Sequence, residues 1–394
     1  MVRKTMKMYW LLSALFSLTD SFFFGTYAVF LTTRGMNLLE INMVNAVFMA
    51  SVFFLEIPTG AYADIFGRKK SVVLSCFIFS LSMLIYFFSH NFWLFVLAEA
   101  IGAVGVAFGS GAMEAWAVDS LKFHGYDGGM ENVFRRENQF RQAAIIIGSI
   151  TGGYIGSINI ALPWLFCSIG SALVGLFAMW KMKEVYFCHE SSEKRIESIG
   201  KIAKDSVQYG LKNRSVFFAI GFGGLLLFST QAFNMQWSLV FHEKYDFPVS
   251  DLGWIFAGIS LSMMLGNQIS VWAKKLFRKE KDAFVLSQSV TAVGMIAASM
   301  MSGARIFIPS FFFQEFGRGI IAPLKQSYIN HRIPSEKRAT ILSFDSMIGK
   351  GFAALGLVGS GYLANTYSIS LAWLVSGIVL SIAVVVFAKL KNGE

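Results

Sequence analysis

Charged residues are scarce in this chain, and cysteine and proline are scarcer still. Asp, Glu, Lys and Arg together make up 15% of the 394 residues, whereas soluble globular proteins average about a quarter. The three cysteines, Cys76, Cys167 and Cys188, are scattered and match neither a metal-ligand spacing nor a disulfide framework. The composition therefore argues against a large soluble protein and against a small secreted domain held together by disulfides.

Long apolar runs fill the space between the few charges. Hydrophobic residues make up 55% of the chain, and each run is close to the roughly 20 residues that a helix needs to cross a bilayer core. The alternating strand pattern of an outer-membrane barrel is absent, so the runs predict transmembrane helices. The twelve predicted spans are Tyr9–Leu31, Ile41–Ala63, Val72–Ser89, Phe92–Val118, Gln139–Ile158, Leu162–Trp180, Val216–Phe241, Leu252–Ala273, Phe284–Ser302, Ile306–Ile329, Thr340–Ala364 and Ile369–Ala388.

The positive charges lie mostly in every second gap between the spans. Among the Lys and Arg residues outside the spans, only Arg34, Lys244 and Arg305 fall in the loops of the other side. Cytoplasmic loops of membrane proteins carry such an excess of Lys and Arg. We therefore expect a multi-pass protein of the cell (inner) membrane with both termini in the cytoplasm. The net charge of +10 then reflects membrane topology and predicts no nucleic-acid partner.

A long polar segment divides the spans into two groups of six. Apolar residues recur in it at helical spacing, which predicts a linker helix on the membrane surface, with a regulatory partner site as the alternative. The stretch Thr19–Phe22 aligns with Thr230–Phe233 in a weak internal repeat. We therefore predict an N-terminal six-helix bundle over 1–182, a cytoplasmic linker with an amphipathic helix over 183–213, and a C-terminal six-helix bundle over 214–394.

The loop after the second span contains one acid, two glycines and a group of cations. Gly60, Asp64, Gly67, Arg68 and Lys69 form the pattern Gly-x-x-x-Asp-x-x-Gly-Arg-Lys. Glycine at the first position allows helices to pack closely, and glycine at the second permits a tight turn. The pattern resembles the signature between the second and third helices of the major facilitator superfamily. The twelve spans extend this resemblance over the whole chain.

The resemblance implies a fold and a gate. The fold would be an all-α polytopic membrane protein, with twelve transmembrane helices in two pseudo-symmetric six-helix bundles. The signature would form a cytoplasmic gate, in which Asp64 satisfies the unpaired N–H groups at the start of the eleventh helix, near Arg338. Arg68 would pair with an acid at the end of the fourth helix, either Glu114 or Asp119. Alternatively, the cations of the loop only anchor the chain to anionic lipid.

A second motif lies in the fifth span, which reads GSITGGYIG over residues 148–156. Its glycine spacing is similar to the signature of antiporter members of the same superfamily, with Gly153 in the place of their proline. This likeness to bacterial proton-coupled drug efflux antiporters implies an exchange of a compound for protons.

Asp20 is the first candidate for a functional site inside the membrane, where ionisable side chains are costly. It lies about 18 Å into the first span, near the midplane, and shares one helical face with Ser13, Ser17, Phe24 and Tyr27. The resemblance implies that the first helix lines the substrate cavity. Asp20 is therefore the predicted carrier of a proton or a cation, and a structural carboxyl group held by serine hydroxyls is the alternative.

The seventh span supplies the position that matches Asp20 in the repeat. Gln231 occupies it, and Asn234 lies on the same polar stripe. The resemblance also places the seventh helix on the wall of the substrate cavity. We therefore expect both amides to contribute to substrate binding, while Gln231 cannot titrate.

Further candidates lie in the fourth, tenth and eleventh spans. Glu99, in the outer half of the fourth span, serves either the cavity or an outer gate. Glu315 and Arg318 are three residues apart on the tenth span and can pair within the helix, either as a self-neutralised structural pair or as a substrate-binding or coupling pair. Lys325 can pair with Asp345 on the eleventh span.

These patterns together predict a secondary active transporter that works by alternating access. The predicted function is proton-coupled efflux of a hydrophobic or cationic small molecule. The alternatives are a proton-coupled uptake symporter for a small metabolite and a non-transporting membrane sensor. No nucleophile elbow, metal-ligand spacing or phosphate-binding loop occurs in a suitable context, so we expect no enzymatic activity, cofactor or metal. The expected partners are protons, the small-molecule substrate and the lipid bilayer, with the chain acting as a monomer.

Overall fold

Helices account for almost every residue that the structure describes. The computed structural model describes residues 1–186, 213–276, 280–330 and 338–389, and these ranges contain no β-strand. The helices before residue 187 are α1 (Val2–Asp20), α2 (Tyr27–Thr33), α3 (Leu38–Phe66), α4 (Arg68–Phe88), α5 (Phe92–Gly109), α6 (Ala112–Phe123), α7 (Met130–Ile158) and α8 (Leu162–Lys181). Those after residue 212 are α9 (Arg214–Leu239), α10 (Val249–Leu276), α11 (Glu280–Met300), α12 (Ala304–Asn330), α13 (Arg338–Thr366) and α14 (Ile369–Lys389).

The helical segments match the predicted membrane spans. Within the described residues, 10 segments are long and apolar enough to cross a membrane. The helices α7 and α12 are not among them, since both are more polar and carry ionisable residues such as Glu137 and Glu315. With these two helices added, every predicted span corresponds to one helical segment. The prediction of twelve transmembrane helices is confirmed.

The first predicted span is interrupted immediately after Asp20. The helix α1 ends there, a single turn of 3-10 helix covers Ser21–Phe23, and α2 begins at Tyr27. The hydroxyl of Ser21 donates to the Leu18 carbonyl oxygen at 3.0 Å. Such hydrogen bonds from a side chain to the preceding turn compete with the backbone ladder and bend helices. The break leaves Asp20 at a helix end.

The fourth predicted span is also broken. The helix α5 ends at Gly109 and α6 begins at Ala112, with Gly111 between them in the left-handed conformation at φ +69°. Glycine adopts this conformation without the steric cost that a side chain would add. The break places Glu114 in the first turn of α6.

The chain divides into two compact units that differ from the two halves of the sequence. The first unit comprises Met1–Met36, Ser51–Glu197 and Asp246–Ala257, and the second comprises Asn37–Ala50, Ser198–Tyr245 and Gly258–Glu394. Each unit therefore includes the beginning of one helix from the other half, α10 in the first unit and α3 in the second. The predicted linker helix falls on residues 187–212, outside the described residues, and the predicted bundle boundaries stay predictions.

The glycine-rich run of α7 packs closely on two neighbours within the first unit. A methyl group at Gly152 would overlap the carbonyl oxygen of Phe22, in the break that follows Asp20. On another face of α7, a methyl group at Gly153 would lie 2.7 Å from the carbonyl oxygen of Ser250, at the start of α10. Small residues allow helices to approach to backbone contact in this way. The run thus holds both the broken first span and the start of α10.

Candidate functional site

A cavity of about 620 Å³ lies within the first unit. The helix α1 supplies one wall through Ser13, Ser17 and Asp20, and Phe24, in the break that follows, lines the cavity beside them, as the sequence predicted. Tyr27, predicted on the same face, instead donates a hydrogen bond to a carboxylate elsewhere in the unit. The reason is the break after Asp20, which ends the helical register before Tyr27. The remaining walls come from α4, the junction of α5 with α6, and α7.

The Asp20 carboxylate faces this cavity without a protein partner among the described residues. The serine hydroxyls that were expected to hold it do not do so. Ser13 donates instead to Oε1 of Glu137, and Ser17 makes no hydrogen bond to Asp20 in the described chain. A carboxylate that no neighbouring group neutralises or bonds is available to a proton or to a cation that enters the cavity.

A second group of ionisable side chains lines the same cavity nearer to the beginning of α1. Glu137 accepts from Ser13 and pairs with Arg141, whose Nε lies 3.4 Å from Oε1. Glu114 also lines the cavity and forms no ion pair within the described residues. Tyr9 lies within electrostatic range of both carboxylates. The cavity therefore holds three acids and one guanidinium group.

Sequence reasoning missed Glu137 and Arg141 as parts of the site. It began the fifth span at Gln139 and counted the charges around that point, Arg141 included, with a cytoplasmic loop, but α7 begins at Met130. A signal was present, since Glu137 and Arg141 are four residues apart, the spacing of an ion pair along a helix.

The signature loop forms an ion-pair cluster at the junction of α3 and α4. Nη2 of Arg68 lies 3.1 Å from Oδ1 of Asp64, and Nε of Arg68 lies 3.1 Å from Oδ2 of Asp119. Of the two acids that were considered as partners of Arg68, Asp119 is therefore the one that pairs. Glu114 was the other, and it lies on the cavity wall instead. These side chains are partly exposed, and each such pair contributes about 0–1 kcal/mol to stability.

The backbone of the loop binds a carboxylate that the sequence did not reveal. Gly67 precedes α4 with φ +103°, and the backbone N–H groups of Arg68 and Lys69 donate to Glu184 at 2.7 and 3.1 Å. A methyl group at Gly67 would lie 2.8 Å from an oxygen of that carboxylate. Glu184 thus caps the beginning of α4, where the backbone donors have no partner in the helix.

Two other expectations for the loop have different outcomes. No described atom lies within 4 Å of a methyl group placed on Gly60, so the close helix packing expected there is not observed. The described part of α13 runs from Arg338, directly after residues 331–337, which lie outside the described ranges. The pairing of Asp64 with the start of the eleventh helix stays a prediction.

Glu99 belongs to a separate aromatic cluster and is not among the residues that line the cavity. It is buried, and its Oε1 accepts from the hydroxyls of Tyr27 and Tyr86 at 2.7 and 2.6 Å. The ring of Trp164 stacks on Tyr86 with the ring centroids 4.2 Å apart. Two neutral donors therefore satisfy one oxygen of a carboxyl group that apolar rings surround.

The second unit contains the predicted pairs of the tenth and eleventh spans. Nη1 of Arg318 lies 2.8 and 3.0 Å from the two oxygens of Glu315, which is buried at 2% exposure. Gln314 also donates to Glu315. Nζ of Lys325 lies 2.7 Å from Oδ1 of Asp345. The predicted pairing of Glu315 with Arg318 is confirmed, and Asp345 is the partner of Lys325, which the sequence left undecided.

The amides of the seventh span bond to each other. Gln231 is buried, and its Oε1 accepts from Nδ2 of Asn234 at 3.3 Å. The second unit therefore offers neutral or internally paired polar groups at its predicted site residues. The first unit differs, since it presents Asp20 and Glu114 without partners in the described chain.

Comparisons with known proteins agree with this architecture. The sequence model of the Major Facilitator Superfamily matches residues 9–279 and 223–393. The uncharacterized MFS-type transporter YxaM of Bacillus subtilis (strain 168) is 25% identical over 99% of this chain and 97% of its own length. Multidrug resistance protein 2 of the same organism is 25% identical over 69% of this chain and 67% of its own length.

The fold is also shared with solved transporters. The crystal structure of the nucleoside transporter NupG superposes with a TM-score of 0.80 at 15% identity, over 98% of this chain and 100% of that chain. At this identity the likeness concerns the fold alone. The family match over nearly all of the sequence, together with the twelve spans, settles membership: the chain is a multi-pass membrane transporter of the Major Facilitator Superfamily and not an enzyme.

Proposed function

We propose that this transporter exports a hydrophobic organic cation in exchange for protons. One observation carries the proposal: the Asp20 carboxylate faces a cavity of about 620 Å³ without a partner in the described chain. Phe16 and Phe24 line the same cavity, and aromatic rings attract cations. Cavities of this volume hold drug-sized molecules.

The exchange follows from competition for one carboxylate. When a proton occupies Asp20, the negative charge that attracts a cation is gone. When a cation occupies the cavity, the proton is displaced. Alternating access then presents Asp20 to each side of the membrane in turn, so mutual exclusion couples the two fluxes. The matching position of the repeat, Gln231, cannot titrate, which leaves one such site in this pair of helices.

The signature loop would act as the cytoplasmic gate of the cycle. Asp64, Arg68 and Asp119 form a connected ion-pair cluster, and the backbone N–H groups of Arg68 and Lys69, directly after Gly67, donate to Glu184. Such a cluster can exist in a paired and an unpaired arrangement that differ by little free energy, because the pairs are partly exposed. Arg68→Ala should therefore slow turnover while the affinity for the transported cation is retained.

The name of Multidrug resistance protein 2, a relative that aligns over most of its length, supports export. A proton-coupled uptake symporter for a small polar metabolite is the second candidate. The buried amide of Gln231, its hydrogen-bond partner Asn234 and the buried carboxylate of Glu315, which would suit a polar substrate, favour it. The two candidates differ in the direction of substrate movement under an imposed proton gradient.

We also propose that the chain acts as a monomer in the inner membrane, with both termini in the cytoplasm.

The test is transport of ethidium, a lipophilic cation, by the purified protein in proteoliposomes with and without a pH gradient. Wild-type protein should move ethidium against its gradient only when the pH gradient is imposed. Asp20→Asn, which resembles the protonated acid, should fold but lose gradient-driven transport. Glu131→Gln is the matched control, because Glu131 is an exposed acid in the first turn of α7, away from the cavity. If Asp20→Asn transports at the wild-type rate, the proposal is wrong.

A further inference from the structure

We infer that the cavity of the first unit is built for an elongated organic dication, with one cationic group at Asp20 and the other at Glu114. This inference rests on the proposed function and specifies its substrate class. It requires two separate anionic positions in one cavity, apolar side chains in the lining of that cavity, and a spacing that a single small cation cannot span.

The two anionic positions lie at different depths along α1. Glu114 and Glu137 lie near Tyr9 and Ser13, as the hydrogen bond from Ser13 to Glu137 and the electrostatic range of Tyr9 indicate. Asp20 is the last residue of the same helix. With a rise of 1.5 Å per residue along α1, Asp20 lies about 10–16 Å from the levels of Ser13 and Tyr9.

The charge balance leaves one unmatched carboxylate at each position. Arg141 pairs with Glu137 at 3.4 Å, which accounts for two of the four charged groups. Asp20 and Glu114 line the same cavity, and neither has an ion-pair partner in the part of the chain that the structure describes. Two unmatched negative charges in one cavity attract two positive charges more strongly than one.

The position at Glu114, called the inner position here, also offers a buried aromatic hydroxyl; the position at Asp20 is called the outer position. Tyr9 is 1% exposed and lines the cavity, and its hydroxyl has no hydrogen-bond partner among the described residues. A buried phenol of this kind is rarely left unbonded. Its oxygen can accept from an ammonium group, and its ring can contact a quaternary one. The outer position has Phe24 in the same role, next to Asp20.

Apolar side chains also line the cavity that contains both positions. Phe16, Val72 and Val106 line the cavity along with Met113 and Ile145. An alkyl or aryl spacer would bury its surface against these side chains at about 25 cal/mol per Å². The arrangement therefore selects for length as well as for charge.

The experiment measures binding of bis-trimethylammonium alkanes with spacers of 3 to 12 methylene groups, by ligand-induced shifts of thermal unfolding of the full chain in detergent. Alkyl-trimethylammonium ions of matched length, with one charge, are the reference. For wild-type protein, affinity of the dications should pass through a maximum at a spacing of about 10–16 Å. At this maximum, the dication should bind about tenfold or more tightly than the matched monocation, since its second group binds intramolecularly.

Variants separate this inference from the proposed function. Glu114→Gln should abolish the length maximum and bring the dication to the affinity of the monocation, while the monocation is unaffected. Asp20→Asn should weaken both series, and Glu131→Gln should change neither. A wild-type protein that binds both series equally at all lengths would overturn the dication inference, yet leave export of a monocation intact. Binding of both series that is insensitive to Asp20→Asn would overturn the proposed function as well.

Discussion

Glu99 and Glu315 show two ways in which this chain satisfies a buried carboxyl group. The hydroxyls of Tyr27 and Tyr86 donate to Glu99, so its surroundings carry no compensating charge. Glu315 instead has Arg318, whose guanidinium group contacts both carboxylate oxygens. Removing a side chain should therefore have different consequences at the two sites.

At Glu99, the stability of the protein depends more on the hydrogen-bond acceptor than on the negative charge. Glu99→Leu would leave two buried phenol hydroxyls without this acceptor, and it should lower the free energy of unfolding by about 1–3 kcal/mol. Glu99→Gln keeps a carbonyl oxygen that can accept both bonds, so its loss should be smaller. Thermal unfolding in detergent compares the two variants. Equal stability of the Leu and Gln variants would show that the hydrogen bonds contribute little.

At Glu315, the contribution to stability depends on the ion pair with Arg318. Glu315→Gln or Arg318→Gln alone would leave one buried charge unpaired, at a cost of about 3 kcal/mol. The double variant should cost less than the sum of the two single variants, because it removes both charges. A double-mutant cycle on stability in detergent measures this coupling. Strictly additive losses would mean that the two side chains do not interact.

Sequence patterns identified single residues well where spacing along one helix was sufficient. They found the pair of Glu315 with Arg318 and the cavity position of Asp20. They could not find Glu184, because its role as a cap depends on a contact between segments far apart in the chain. They misassigned Glu114 for a similar reason, since the turn at Gly111 sets the direction in which the side chain points.

The helix breaks are the main structural feature that hydropathy did not predict. Average hydropathy over a span does not register a single turn, so the breaks after Asp20 and at Gly111 were both read as continuous helix. Both breaks adjoin acids of the cavity, Asp20 and Glu114. Irregular backbone at membrane depth occurs where it is enclosed by protein or lines a cavity, which suggests that breaks and ionisable residues should be sought together.

The contact of α7 with the first break can be tested by adding a methyl group. Gly152→Ala would place Cβ against the Phe22 carbonyl oxygen, and overpacking of this kind costs about 1–3 kcal/mol. The melting temperature should fall accordingly. Gly221→Ala is the matched control in α9, because no described atom lies within 4 Å of its added methyl. It should be neutral or slightly stabilising, since alanine favours helix over glycine. Equal melting temperatures for both variants would contradict the close contact.

For the whole molecule, the distribution of Lys and Arg predicts the orientation in the membrane. Cysteines introduced singly at Lys70 and Lys244 should react differently with a membrane-impermeant maleimide in intact cells. Lys244→Cys should be labelled directly, and Lys70→Cys only after the membrane is permeabilised. Cys76 and Cys167 are buried, and unmodified protein provides the background. Labelling of Lys70→Cys in intact cells would reverse the predicted topology.

The exchange of helix beginnings between the two units has a consequence for how the chain is made. The first unit includes Asp246–Ala257, so a ribosome that has finished the first six spans has not yet produced all of it. In that nascent chain, the face of α7 at Gly153 lacks the start of α10 against which it packs. The packing of the N-terminal bundle in the membrane is therefore incomplete until the eighth span has been synthesised. Chains terminated before residue 246 should be recognised as misfolded and degraded, even though they carry Asp20 and the entire acidic cavity.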